Sequence, residues 1–299
     1  MGTTAKRNGT PCRDLEFARG RLELSRRVHV VGILNVTPDS FSDGGRFATR
    51  DAAAAEALRM VEGGADVIDV GGESTRPGSS AVDPAEEIRR VEPVIRAIRE
   101  RSDVPISIDT RKADVARAAL AAGADIVNDI SALRDDADLV RVCAEHGAPV
   151  VLMHMQGTPR TMQVDPHYDD VIAEVCAFLG AAVERAVRGG VSADRVVLDP
   201  GIGFGKRLED NLTLVNRLDR IVELGHPVMM AASRKSFMGM VLAGEDGAPL
   251  PVTERAAATV AVTALSVARG ARLIRVHDVE ANVRAVRMTE AVLAAGEDA

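Results

Sequence analysis

Hydrophobic positions along the chain follow two alternating patterns. Short apolar runs rich in β-branched residues are followed by longer segments in which apolar residues recur at helical spacing. The short runs predict eight strands, at residues 28–35, 66–71, 105–109, 125–128, 149–154, 195–199, 227–231 and 271–276. The longer segments predict helices near 50–62, 84–101, 112–122, 136–146, 168–190, 208–224, 253–269 and 278–295. This strict alternation favours a single (β/α)8 TIM barrel, for which about 250 residues is typical, over a doubly wound open sheet.

The turns that lead into several strands resemble one another. In "GGADVIDV", "AGADIVND" and "GARLIRVHD", a helix ends at glycine and a strand begins after alanine and a charged residue. Glycine just past a helix is the expected left-handed cap, so the repeat marks one βα unit. Because no break in composition divides the chain, we expect residues 24–299 to form one catalytic barrel domain. Residues 1–23 are polar and contain Gly and Pro, and we expect a flexible N-terminal segment there.

Composition narrows the class of protein further. The chain has 299 residues, of which 46% are hydrophobic but only 2% aromatic, so its core must consist of aliphatic side chains. Such a core suits buried parallel strands and alanine-rich helices.

The net charge of −7 argues against nucleic-acid binding, and no apolar run reaches the roughly 18 residues of a membrane span. The three cysteines have no metal or disulfide spacing, and the N-terminus lacks the apolar core of a signal peptide. We therefore expect a cytoplasmic protein with no nucleic-acid or membrane partner.

Every predicted strand ends at polar or charged side chains. In chain order these are Asn35, Glu73 to Arg76, Asp109, Asn128 with Asp129, His154, Asp199, Ser233 to Lys235, and Arg275 with His277. A buried polar group left unpaired costs about 1–3 kcal/mol. Because this fold carries its chemistry at the C-terminal strand ends, the ring of polar side chains predicts a polar ligand. Asp129 suits a capping role as well as a ligand contact, and His154 suits the core or a place behind the site.

The polar residues divide into two chemically different walls. The acceptor-rich wall consists of Asp109, Asn128 and Asp199. The cationic wall consists of Lys235, Arg275 and His277, to which Thr75 and Arg76 can add from a loop. Carboxylates accept paired N–H bonds from an amidine-like edge, and cations suit phosphate. The two walls together predict a small molecule with a planar heterocycle at one end and a phosphate at the other.

The segment "DPGIGFGK", residues 199–206, is rich in glycine but matches no nucleotide fingerprint. Its spacing lacks the third glycine of G-x-G-x-x-G and the four-residue gap of a P-loop. We interpret it as a tight loop whose glycines bring the backbone and the Phe204 ring close to a flat ligand.

Eight segments together resemble the signatures of the dihydropteroate synthase family, in that family's order. They are "ILNVTPDSFSDGG", "GGESTRPG", "SIDT", "NDIS", "LMHMQGTP", "DPGIGFGK", "ASRKSF" and "RVHDV". The resemblance covers residues 24 to 293. It implies an alkyl-group transferase of folate biosynthesis that condenses 6-hydroxymethyl-7,8-dihydropterin diphosphate with 4-aminobenzoate, giving 7,8-dihydropteroate and diphosphate. It also implies Mg²⁺, sensitivity to competing sulfonamides, and a homodimer, to which the alanine-rich helix 255–269 would contribute.

Two other functions remain open at this stage. A methyltetrahydrofolate-type methyltransferase shares an acidic pterin pocket, but it would lack the "NVTPDSF", "TRPG", "SRKS" and "RVH" segments found here. A catalytically silent pterin-binding paralogue would be expected to lose residues at Arg76, Lys235 or "GFGK", and this chain keeps all of them.

The resemblance also implies a role for each site residue. Those implied to bind the pterin are Asp109, Asn128, Asp199, Lys235 and Arg275. Those implied around the diphosphate are Asn35, Thr75, Arg76, Arg275 and His277, with Asn35 also holding the metal. Those implied around aminobenzoate are Phe41, Pro77, Phe204, Lys235 and Ser236.

The reaction needs charge stabilisation more than a covalent residue. Departure of diphosphate leaves negative charge on the leaving group, which Mg²⁺, Lys235 and Arg275 would stabilise, and positive charge on the pterin, which Asp109 would stabilise. The nucleophile is an aniline amine, which needs no strong base. The loop at residues 33–45 is expected to close over substrate, with Asn35 fixed and with Asp39 and Phe41 on the moving part.

Overall fold

The computed structural model describes residues 13–37, 45–74 and 81–295, with side chains from residue 50 in the first helix. Ten strands lie in these ranges, and the last eight of them correspond to the eight predicted strands. The strands are β1 (Leu15–Phe17), β2 (Gly20–Leu22), β3 (His29–Asn35), β4 (Val67–Gly71), β5 (Ile106–Asp109), β6 (Ile126–Asp129), β7 (Val150–Met153), β8 (Val196–Asp199), β9 (Met229–Met230) and β10 (Leu273–Val276).

Helices follow the barrel strands as the periodicity predicts. They are α1 (Gly45–Glu62), α2 (Pro84–Arg99), α3 (Ala113–Ala122), α4 (Leu139–His146), α5 (Val171–Arg188), α6 (Leu208–Asn216), α7 (Asp219–Val222), α8 (Ser236–Val241), α9 (Ala256–Ala268) and α10 (Val279–Ala294). The predicted helix 208–224 is two helices, because Arg217 leaves the helical region with φ −112° and ψ 31°. The short helix α8 was not predicted.

Strands β3 to β10 form one parallel sheet that curves into a barrel. Its hydrogen-bonded order is β8-β7-β6-β5-β4-β3-β10-β9. A parallel bridge between Leu198 and Val228 brings the β8 edge to the segment that enters β9, so the two ends of the sheet meet. The predicted barrel is therefore confirmed, and the open-sheet alternative is wrong. All the C-terminal strand ends lie at the same end of the barrel.

Helix ends follow local sequence signals. The Asp83 side chain accepts a hydrogen bond from the Ala85 N–H at the start of α2. The Asp170 carboxylate accepts hydrogen bonds from the backbone N–H groups of Ile172 and Ala173 in the first turn of α5. Gly147 ends α4 with φ 58°, a conformation that favours glycine.

The N-terminal end of the barrel is sealed by a hairpin. Strands β1 and β2 pair antiparallel. Their apolar side chains belong to a cluster with one residue from most of the barrel strands: Leu15, Phe17, Leu22, Leu24, Val31, Val67, Ile126, Val151, Val197, Met229 and Leu273. Leu15 is fully buried. The expectation of a flexible segment is therefore wrong for residues 13–23, because their apolar side chains close the barrel. Residues 1–12 lie outside the described part of the chain.

Within the described residues, no helix is long and apolar enough to cross a membrane.

Candidate active site

Four neighbouring strands bring residues at or next to their C-terminal ends into one row. Asn35 of β3 is in register with Gly71 of β4, Gly71 with Asp109 of β5, and Asp109 with Asn128 of β6. A Cβ atom placed on Gly71 would lie 3.6 Å from the Cβ of Asp109 and 3.9 Å from the Oδ1 of Asn35. These are ordinary van der Waals distances, so the missing side chain of Gly71 leaves only a small gap between these two side chains at the mouth of the barrel.

Arg275 lies between two carboxylates at the centre of the mouth. Its Nε donates to Asp69 at 2.6 Å, and its Nη2 donates to Asp109 at 2.7 Å. The Asn128 amide also donates to Asp69, at 3.2 Å. The Asp69 side chain is 1% exposed, and its second oxygen has no hydrogen-bond partner among the described residues. The four side chains form one connected polar unit below the opening.

Burial sets the protonation of this unit. It raises the pKa of Asp109 to about 7, against the pull of Arg275 and with the help of the nearby Asp69 charge. Burial alone would lower the pKa of Arg275, but Asp69 and Asp109 raise it above the usual value for arginine. The guanidinium stays charged, whereas Asp109 gains or loses its proton near neutral pH.

Asp69 is a candidate functional residue that the sequence analysis missed. It lies inside β4, whereas the other polar side chains of the site lie at or next to strand ends. Its neighbours in "VIDVG" are all buried, so a carboxylate in that run requires a charged partner. That requirement is the sequence signal that could have identified it.

Asp199 ends β8 and holds the first turn of the glycine-rich loop. Its carboxylate accepts from the Gly201 N–H at 2.6 Å. Burial raises the pKa of Asp199 to about 6, while that hydrogen bond and then Lys235 oppose the shift. Gly201, at φ 68°, is irreplaceable here, because an added Cβ would lie 1.8 Å from the His154 carbonyl oxygen.

Lys235 and Phe204 face each other across the mouth. The Lys235 Nζ lies 4.0 Å from the centre of the Phe204 ring, a cation–π contact. Burial lowers the pKa of Lys235 to about 8, helped by Arg275 and opposed by Asp199. Ser236 is exposed at the first position of α8, directly after Lys235.

His277 is not part of a cationic wall. Burial, and after it the charges of Arg275 and Arg234, lower its pKa to about 4, so the imidazole is neutral at neutral pH. The Ser233 hydroxyl accepts from the His277 backbone N–H at 3.2 Å and lies 2.9 Å from its Nδ1. The hydroxyl can donate to Nδ1 or accept from it, so both tautomers of the neutral ring fit this contact. The expected cation is corrected to a neutral imidazole.

Two residues behind the site have clear structural contacts. Asp129 accepts from the backbone N–H groups of Ser131 and Leu133, at 2.7 and 2.5 Å. It therefore fills the capping role that the sequence left open. His154 is buried, and its Nδ1 lies 2.8 Å from the Nζ of Lys206, a buried lysine that the sequence analysis did not single out.

The structure thus brings together Asn35, Asp109, Asn128, Asp199, Phe204, Lys235, Ser236, Arg275 and His277 at one end of the barrel. Phe41, Thr75, Arg76 and Pro77, and Asp39 with them, lie outside the described residues. Acceptors on one side, a charged arginine in the centre, and a lysine against an aromatic ring define a barrel enzyme for a small, planar, polar substrate.

Comparison with known proteins identifies the family. The model for pterin binding enzymes matches residues 31–277. The dihydropteroate synthase of Escherichia coli K12 is 45% identical over 94% of this chain and 98% of its own length. That of Synechocystis is 46% identical over 89% and 91%. The structure of the Xanthomonas albilineans dihydropteroate synthase with 4-aminobenzoic acid has a TM-score of 0.87 and 46% identity, covering 95% of this chain and 99% of that one.

The chain therefore belongs to the pterin-binding enzymes, and among them to the dihydropteroate synthases, transferases that make dihydropteroate. The predicted family, enzyme class and pterin-directed function are confirmed. The relatives named above are synthases, which favours this activity over the methyltransferase alternative.

Proposed function

We propose that the polar unit at the barrel mouth receives 6-hydroxymethyl-7,8-dihydropterin diphosphate and joins it to 4-aminobenzoate. The observation that carries this proposal is the buried Arg275, held between Asp69 and Asp109 next to Gly71, which has no side chain to cover them. A planar ring stacked along the guanidinium would meet acceptors on both sides. A structure of the Xanthomonas albilineans enzyme contains 7,8-dihydropteroate, which supports the same product here.

The pterin would bind through its N–H edge. Asp199 and Asp109 accept N–H bonds, Asn128 both donates and accepts, and Lys235 donates to a ring oxygen or nitrogen. Each of these groups is buried or half-buried, so its hydrogen bonds with substrate are worth more than they would be in water. Asp199 is the main acceptor, since its neighbour Gly201 already fixes the carboxylate plane.

Aminobenzoate would bind in the outer part of the mouth. The Phe204 ring and the aliphatic stem of Lys235 supply a flat apolar surface, and Ser236 lies exposed beside them. Phe41 and Pro77 would complete this surface. A structure of the Yersinia pestis synthase contains a sulfonamide drug complex. We therefore expect sulfonamides to compete with aminobenzoate in this chain.

The residues present fit a magnesium ion that arrives with the diphosphate. Among the described residues no three His, Cys, Asp or Glu side chains cluster as a complete metal site. Mg²⁺ commonly takes only one or two protein oxygens and completes its shell with phosphates and water. The exposed Asn35 offers one such oxygen at the end of β3. When bound, the ion would neutralise charge on the leaving diphosphate.

The remaining diphosphate contacts would come from Arg275, the His277 ring, and Thr75 with Arg76. As the bond from the pterin methylene to the diphosphate oxygen breaks, negative charge grows on the diphosphate, where Arg275 and these donors stabilise it. Positive charge grows on the pterin, beside ionised Asp109. The aniline nitrogen then bonds to the methylene carbon and loses a proton, giving 7,8-dihydropteroate and diphosphate.

A homodimer through the last helices also belongs to this proposal. Several apolar side chains of α8, of its C-cap Leu242 and of α9 are exposed: Met240, Val241, Leu242 and Leu265. The two helices pack together where the Thr259 hydroxyl contacts the Met238 sulfur at 3.7 Å. In sedimentation, the wild type should be a dimer and a Leu265→Glu variant a monomer. A monomeric wild type would contradict the proposed dimer.

Calorimetric binding of pterin diphosphate tests the assigned roles. Asp199→Asn should weaken binding at least about tenfold. The amide lacks the negative charge of the carboxylate, and its NH2 group would face N–H donors of the pterin or of Gly201. Asn35→Ala should raise the Mg²⁺ concentration needed for tight diphosphate binding, yet leave binding of the free pterin alcohol unchanged. Equal affinities for wild type and Asp199→Asn would contradict the pterin assignment. An Asn35→Ala variant with unchanged Mg²⁺ dependence would contradict the metal assignment.

A further inference from the structure

Lys206 is a buried lysine behind the active site, and its ammonium group is surrounded by hydrogen-bond acceptors. The residue is 4% exposed, and its Nζ meets three acceptors: His154 Nδ1 at 2.8 Å, and the carbonyl oxygens of Gly201 and Phe204 at 3.0 Å each. An ammonium has three N–H donors and no acceptor. Each donor therefore has one partner, and the imidazole accepts because burial lowers the pKa of His154 to about 2.

Burying a lysine in this way is costly for the fold. A buried ammonium loses its hydration, and burial lowers the pKa of Lys206 to about 7, a shift that the charges of Asp199 and Asp210 only partly oppose. An aliphatic side chain of similar length would fill the same volume without that cost. What an aliphatic side chain could not do is donate hydrogen bonds, and Lys206 donates two of them to the backbone of the glycine-rich loop.

The loop held by Lys206 carries groups that face the substrates. Gly201, whose carbonyl oxygen accepts from Lys206, donates its N–H to the Asp199 carboxylate. Phe204, whose carbonyl oxygen also accepts from Lys206, presents its ring to Lys235. Gly201, Gly203 and Gly205 all have positive φ, so the loop follows a path that few residues adopt by themselves. One ammonium thus joins the two ends of this loop.

We propose that Lys206 is a positioning residue, whose ammonium fixes the 200–205 loop and thereby the Asp199 carboxylate and the Phe204 ring for the two substrates. It touches neither substrate. The proposal rests on the proposed function, since Phe204 and Asp199 are assigned there to aminobenzoate and to pterin.

Steady-state kinetics of Lys206→Met test this role, because methionine keeps the unbranched stem and removes all three donors. We expect the KM for 4-aminobenzoate to rise about tenfold or more while kcat falls less than about threefold. This pattern results when a substitution weakens binding of the substrate and of the transition state by the same amount. The KM for pterin diphosphate should rise as well, through Asp199. A folded Lys206→Met variant with both KM values unchanged would overturn the proposal.

A matched control separates positioning from loss of stability. Thr263→Val removes a buried hydrogen bond of 2.7 Å to Asn282, which joins α9 to α10 outside the loop. It should lower the melting temperature and leave both KM values unchanged. If Thr263→Val raises the KM values as much as Lys206→Met does, general loosening explains the effect and the proposal fails.

A second variant covers the case in which Lys206→Met does not fold. Lys206→Gln keeps two N–H donors for the loop carbonyls, and we expect a smaller rise in the KM for 4-aminobenzoate, about threefold. Unchanged KM values in folded Lys206→Gln would again overturn the proposal. If the wild type itself shows no turnover, the proposed function fails, and that outcome is distinct from a normal wild type with an unaffected Lys206 variant.

Discussion

Arg275 carries the positive charge at the centre of the mouth, and two carboxylates fix where it points. Asp69 holds the Nε from below, where the carboxylate is closed off from solvent. Asp109 holds an Nη from the substrate side, where it is also free to meet the pterin. This division gives Asp69 the task of orientation and leaves Asp109 available for chemistry.

Asp69→Asn should therefore impair the reaction without contact between Asp69 and substrate. The amide keeps the volume but loses the charge that orients Arg275, so we expect kcat/KM for pterin diphosphate to fall about 10- to 100-fold, or about 1.4–2.7 kcal/mol. Asp66→Asn is the control, because Asp66 also pairs with an arginine, Arg27, but it directly precedes β4, at the N-terminal end of the barrel. Normal kcat/KM in folded Asp69→Asn would refute the orienting role.

The pH dependence of kcat/KM should be bell-shaped and narrow. Below about pH 7 Asp109 takes up a proton, and below about pH 6 Asp199 does so too, so the acceptors for the pterin are lost. Above about pH 8 Lys235 loses its proton, so the alkaline side falls as well. In Asp109→Asn the acid limb should move down toward pH 6, at a lower maximum rate. A wild-type profile flat between pH 5.5 and 9 would contradict these assignments.

Sequence reasoning found the residues at strand ends and missed those whose role depends on packing. Asp109, Asn128, Asp199 and Arg275 were predictable, because the barrel fold gathers its C-terminal strand ends. Asp69 lies inside a strand, and its partner Arg275 is 206 positions away in the chain. The neutral state of His277 was equally hidden, because it follows from burial and from nearby arginines rather than from residue type.

At the scale of elements, the glycine-rich loop after β8 determines the shape of the mouth. Its glycines turn the chain sharply against the end of β7 and place Phe204 opposite Lys235. Gly203 packs against the same lysine, since a Cβ there would lie 3.1 Å from the Lys235 Cδ.

Gly201→Ala should damage both stability and binding. The methyl group would collide with the His154 carbonyl oxygen, and φ 68° is unfavourable for alanine, so the loop must move. We expect a loss of about 2–4 kcal/mol in the free energy of unfolding and weakened binding of both substrates. Gly180→Ala is the control: nothing lies within 4 Å of its added Cβ in α5, and alanine should stabilise that helix by up to about 1 kcal/mol. Equal effects of the two substitutions on urea unfolding would contradict this account.

Periodicity predicted the barrel elements well because each strand is buried on both faces and each helix has one buried face. It failed where an element is short and its signal depends on neighbours. The six residues of α8 carry too few turns for a helical period. The hairpin β1–β2 contains only two three-residue strands, which are too short for a recognisable period. Their apolar side chains are buried only because they cover the end of the barrel.

At the scale of the whole molecule, the apolar cluster that stabilises the barrel and the polar site that binds substrate lie at opposite ends of the barrel. The hairpin cluster closes the N-terminal end, and the charged unit opens at the C-terminal end. A barrel of this kind can lose packing at the closed end and keep the geometry of its mouth.

Leu15→Ala should therefore lower stability and leave catalysis intact. Leu15 is fully buried, and its truncation should cost about 2–5 kcal/mol in the free energy of unfolding by urea. Leu212→Ala is the control, because that side chain is 43% exposed and should change stability by less than about 0.5 kcal/mol. At a temperature where both variants are folded, their KM values should match the wild type. A raised KM in Leu15→Ala would show that the two ends are coupled.

Product formation tests the central claim most directly. Purified protein is incubated with Mg²⁺, the pterin diphosphate and 4-aminobenzoate, and diphosphate and dihydropteroate are measured together, with Asp199→Asn alongside. We expect one diphosphate per dihydropteroate, and a loss of about 100-fold or more in kcat/KM for the variant, because a buried charged acceptor is removed from the pterin. Tight binding of the pterin diphosphate with no diphosphate released on adding 4-aminobenzoate would contradict the account and identify a silent pterin binder.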